Sequence, residues 1–68
     1  MIENEQELEG TLERIQYFQR QVTQIRKAET DPEAYRLSSG GYLAEIDRMN
    51  LEVREYLSLF PGEMKKSA

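Results

Sequence analysis

The sequence predicts an all-α protein: a two-helix antiparallel hairpin, with helices over about residues 5–28 and 32–60, that dimerises into a four-helix bundle. Three observations predict it. Large apolar residues recur at helical spacing along most of the chain; Thr30-Asp31-Pro32 interrupts them with a stop and a restart; and the resulting stripe is too wide for two helices to hide from water.

In the first segment the large apolar residues are Leu8, Leu12, Ile15, Phe18, Val22 and Ile25, separated by 4, 3, 3, 4 and 3 positions. That is the period of one helix face and not the alternation of a strand. Glu3, Glu5, Glu7 and Glu9 crowd the start, and Arg26 and Lys27 stand at the end. Both placements complement the helix macrodipole. Gly10 is the weak point, at about 1 kcal/mol relative to Ala in a helix interior.

Asp31 is suited to cap a second helix, with Thr30 as the alternative cap. Pro32 then occupies the first helical position, where its missing N–H removes no hydrogen bond. From there Tyr35, Tyr42, Ile46, Met49, Val53, Tyr56 and Phe60 form a heptad seam, widened on one flank by Leu43 and Leu57. Glu45, Arg48 and Glu52 form a charged row at i, i+3 and i+4 spacing, as on a solvated face. Pro61-Gly62 ends the helix, so the hairpin domain occupies 1–62 and residues 63–68 read as a flexible tail.

Ser38-Ser39-Gly40-Gly41 lies inside the second segment, and two adjacent glycines cost roughly 2 kcal/mol in a helix. Two readings follow. Either the helix breaks into 32–38 and 42–60, or it continues with a kink at 38–41. If the chain reverses near residue 30, Ile15 faces Ile46, Leu12 faces Met49 and Leu8 faces Val53. Phe18 and Val22 then face Ser39, Gly40 and Leu43. Small residues opposite a bulky Phe would let the backbones approach, which favours the kinked, continuous helix.

A chain of 68 residues is one small domain. A core of that size supplies about 3–5 kcal/mol unless a disulfide, a metal, oligomerisation or unusually good packing adds to it. There is no Cys for a disulfide and no His, the commonest transition-metal ligand. Oligomerisation and packing remain. The formal net charge is −4, from 13 acidic and 9 basic residues, which argues against a direct nucleic-acid surface. No apolar run is long enough for a membrane span or a signal-peptide core, and the expected location is the cytoplasm of a bacterium.

Enzyme chemistry finds no support. Nucleophilic triads need an imidazole base, and the helical-bundle Glu-x-x-His metal motif is missing. Glu5/Glu9, Glu9/Glu13 and Glu52/Glu55 share helix faces, but acid–base work needs such a pair inside a cleft with separated pKa values. The Ser-Ser-Gly-Gly run lacks the Gly-Lys-Ser/Thr of a phosphate loop and reads as a structural spacer. No catalytic, metal or cofactor residue is assigned. Three of the four tyrosines lie on the seam, leaving Tyr17 as the aromatic placed for an intermolecular contact.

The interaction seam is therefore Leu8, Leu12, Ile15, Phe18, Val22, Ile25, Tyr42, Leu43, Ile46, Met49, Val53, Tyr56, Leu57 and Phe60. Its expected partner is a second copy, in a homodimer or higher homo-oligomer, or another protein. Asn50 flanks the seam where a polar residue can fix register.

The opening Met1-Ile2-x-Asn4-Glu5, with Thr11, Ile15 and Phe18, is followed by Tyr42-Leu43-x-Glu45-Ile46-x-x-Met49-x-x-Glu52-Val53-x-Glu55-Tyr56-Leu57. This pattern resembles the short helical segment ahead of a phage-repressor-like helix-turn-helix domain in some bacterial antitoxin-type regulators. It also resembles free-standing bacterial proteins of unknown function with the same hairpin. Only a tail is expected after Pro61-Gly62, so DNA binding is not carried over. The resemblance implies an oligomerisation or partner-binding role, such as that of a small antitoxin-like subunit.

Overall fold

A computed structural model describes residues 1–59. Two α-helices, α1 (Glu5–Ala28) and α2 (Pro32–Leu57), fold back on one another as an antiparallel hairpin. The hairpin measures 51 × 17 × 13 Å. Its least dimension is close to the diameter of one helix with its side chains, about 10–12 Å, so the molecule is a single layer.

The start of α1 is set by Asn4. Its side-chain oxygen accepts the Glu7 N–H at 2.8 Å, and the Glu7 carboxylate reaches back to accept the Glu3 N–H at 2.8 Å. The pair works like a capping box, with the return bond made one residue outside the cap. This bond turns the leading chain inward and buries Ile2 against Leu8 and Tyr56.

At the turn, the Glu29 N–H donates to the Ile25 carbonyl at 2.8 Å, and the Glu29 carboxylate accepts the N–H groups of Thr30 and Asp31. Asp31, not Thr30, caps α2, accepting the Ala34 N–H at 3.2 Å, with Pro32 next in line.

Helix α2 runs through Ser38-Ser39-Gly40-Gly41 without a break. The small residues do not act together. Ser39 is 1% exposed at the helix contact, whereas a Cβ added at Gly40 or Gly41 would meet nothing within 4 Å. Gly40 therefore does not let Phe18 approach; about 100° of rotation per residue carries it away from the contact line.

The helix also stops earlier than residue 60. The Ser58 hydroxyl donates to the Glu55 carbonyl at 2.6 Å, the acceptor that the Leu59 N–H would need to continue the helix. Leu59 instead donates to Tyr56 at 3.2 Å, a tighter closing turn. Phe60, Pro61-Gly62 and the tail at 63–68 lie outside the described residues.

The core is one line of side chains in two groups: Ile2, Leu8 and Tyr56 near the open end, and Ile15, Ile46 and Met49 at mid-length. Val53 packs against both, and Phe18 and Val22 against the second. Met49, at 2% exposure, is the deepest large side chain.

Truncating it should be severe: Met49→Ala costs about 2–5 kcal/mol, comparable with the whole stability expected of such a core. Gly40→Ala and Gly41→Ala should each stabilise by about 0.5–1 kcal/mol, since the backbone is helical and the added methyl group meets no neighbour. Urea unfolding of the three variants followed by circular dichroism measures both effects; loss of stability in the alanine-for-glycine variants would show that residues 40–41 are not helical.

Candidate interaction surface

Burial divides the predicted seam into three classes. Leu8, Ile15, Ile46, Met49 and Tyr56 are buried; Phe18, Val22, Ile25, Tyr42 and Val53 are half-buried. Leu12 and Leu43 remain 43% exposed and Leu57 64% exposed. The cause is angular. Within each helix the buried residues follow a seven-residue pattern: 8, 15, 22 with 11, 18, 25 on α1, and 39, 46, 53 with 35, 42, 49, 56 on α2. Leu12 is one step beyond the line on α1, and Leu43, Asn50 and Leu57 are one step beyond it on α2. In an antiparallel pair, offsets of the same sense emerge on the same edge, so these four residues share one long edge of the hairpin.

The opposite long edge is aromatic and charged. Phe18 and Tyr42 meet edge to face with ring centroids 5.6 Å apart, and Tyr17 lies 5.8 Å from Phe18 on its outer side. A shallow groove beside them is lined by Phe18, Leu37, Ser38, Gly41, Tyr42 and Glu45. Farther along, Arg48 donates to Glu45 at 2.6 Å and to Glu52 at 2.5 Å. Hydrogen bonding to Glu45, with its charge and that of Glu52, raises the Arg48 pKa above the ordinary arginine range. The charged row read from the sequence is thus a bonded surface network.

A cleft of about 420 Å³ opens at the free end, lined by Met1, Ile2, Glu52, Glu55, Tyr56, Ser58 and Leu59. Glu52 is already engaged there by Arg48 and lies 3.6 Å from the α-amine of Met1. The Tyr56 hydroxyl donates to Glu5 across the helices at 3.3 Å. Burial, then the Glu5 charge and hydrogen bond, raise the Tyr56 pKa. Among the described residues, no group of three or more His, Cys, Asp or Glu is placed to hold a metal ion, and no helix is long and apolar enough to cross a membrane.

Ile2 and Asn4 escaped the sequence reading as structural residues. Asn4 with Glu7 three positions on was a legible cap signal, and it would have drawn attention to Ile2 and Leu8 flanking it. Ser39 was placed opposite Phe18 and Val22 together with Gly40, and of the two small residues it alone is buried. Its hydroxyl has no hydrogen-bond partner among the described residues. No known protein family, curated protein or solved structure matches this chain.

The Tyr56–Glu5 link has a pH signature. Because the fold raises the phenol pKa, its contribution is complete below about pH 10, the unfolded value, and is lost as pH rises through the higher folded value. Thermal melts across the alkaline range should show a loss of stability that Tyr56→Phe lacks. Identical alkaline profiles for the two proteins would rule the link out.

Proposed function

We propose that this chain is a non-enzymatic helical interaction module, acting in the cytoplasm as a homodimer whose two hairpins form a four-helix bundle. The observation supporting this reading is the exposed leucine edge, Leu12, Leu43 and Leu57, beside a core only one line of side chains wide. At about 25 cal/mol per Å² of apolar surface, covering such an edge contributes stability on the scale of the hairpin's own core. Two such layers back to back make a four-helix bundle, and twofold dimers are the commonest homo-oligomers.

A second reading places the edge in a groove of a different protein, as an antitoxin-like or regulatory subunit would. Its support is the acidic open end, where Glu3, Glu5, Glu7, Glu9, Glu52 and Glu55 gather on a hairpin able to meet a basic partner.

Solution mass separates these readings. The 8.0 kDa chain should sediment as a dimer at micromolar concentration, and Leu43→Glu with Leu57→Glu should shift it to monomer, with loss of helicity on dilution. A cooperatively folded monomer at all concentrations, unaffected by the double substitution, would overturn the homodimer.

A further inference from the structure

Resting on the dimer reading, the edge also carries information about how two copies meet. Along α2 the exposed edge reads Leu43, Asn50, Leu57 at seven-residue spacing, so it is symmetric about Asn50. Leu12 lies at the level of Asn50, because opposed positions of the two helices sum to about 61: Ile15 packs with Ile46, Glu5 bonds Tyr56, and Phe18 meets Tyr42. Outside the leucines, Asp47 and Arg54 stand on the same flank at nearly equal distances on either side of Asn50. Both are exposed, and neither forms an ion pair within the described residues.

We infer that two hairpins pack through this edge with their turns at opposite ends, about a twofold axis that crosses at Asn50 and Leu12. Rotation about that axis lays α2 antiparallel on the partner's α2. Leu43 then meets the partner's Leu57, Asn50 meets the partner's Asn50, and Leu12 meets the partner's Leu12. Asp47 falls beside the partner's Arg54, and the reciprocal pair forms by symmetry. One edge thereby satisfies itself in apolar contact, amide hydrogen bonding and charge.

The other twofold arrangement has both turns at the same end. It sets α2 over the partner's α1, so Leu57 faces the partner's Glu5, Asn50 faces the partner's Leu12, and Leu43 faces the partner's Gln19. It also brings Arg26 and Arg36 of both copies to one level. Charge over the whole hairpin points the same way. The open end, residues 1–13 and 49–59, carries seven glutamates against Arg54 and the α-amine, while Arg14, Arg20, Arg26, Lys27, Arg36 and Arg48 lie in the remainder. About an axis at the level of Leu12, opposed turns set residues 5–11 of each copy against residues 13–19 of the other, with Arg14 and Arg48 at that level and Arg26, Lys27 and Arg36 beyond the contact, whereas aligned turns stack two whole acidic ends.

The chain has no cysteine, so a single introduced thiol reports cleanly. A nitroxide on Thr30→Cys, at the exposed turn, should give a distance between copies of about 50 Å in the opposed dimer, and below about 20 Å if the turns lie together. Asn50→Cys should oxidise readily to a covalent dimer. Asp47→Arg should weaken dimerisation by about tenfold, and Asp47→Arg combined with Arg54→Asp should restore it. A dimer with a short turn-to-turn distance, or no rescue by the charge swap, would overturn this arrangement and leave the homodimer reading intact. A folded monomer under all conditions would overturn both.

Discussion

Two helices lying side by side touch along a line, and a line of contact buries only one flank of each. Everything else in this molecule follows from that constraint. With a least dimension of 13 Å there is no second layer to close over the core, so side chains one angular step beyond the contact line toward the leucine edge stay largely in water. Ile15, Ile46 and Met49 are buried because they stand on the line; Leu12, Leu43 and Leu57 are exposed because they stand beside it.

The two ends of the rod reinforce that line by different means. At the turn, carboxylates of Glu29 and Asp31 gather the free N–H groups that a chain reversal exposes. At the open end, local capping by Asn4 and Glu7 aims Ile2 into the hairpin, and Tyr56 joins the far end of α2 to Glu5 at the start of α1. Hydrogen bonds that begin as short-range capping thus end as tertiary contacts. On the opposite edge the Glu45–Arg48–Glu52 network lies beside an aromatic groove where Tyr17 and Leu37 stay exposed.

The leucine edge is not merely apolar. Its order, Leu43–Asn50–Leu57 flanked by Asp47 and Arg54, carries symmetry about a point, and an antiparallel contact between copies uses such symmetry directly. A groove in an unrelated protein would have no need of it. The acidic open end could equally face a basic partner, and it is the edge's order that favours the copy.

The linear order of residues was sufficient for the helices, the Asp31–Pro32 restart and the pairing of Ile15 with Ile46, because periodicity, capping chemistry and a short turn are local properties that leave one antiparallel register. The wide stripe on α2 was equally legible, as was the charged row. Tertiary structure alone decided which part of that stripe is covered, that Ser39 and not Gly40 faces the other helix, that Ile2 belongs to the core, and that α2 stops at Leu57. Each of these depends on a rotation of about one residue around a helix axis or on competition for one carbonyl, differences of about 100° or a single hydrogen bond. Composition does not encode differences of that size until a neighbouring helix sets the direction of the interior.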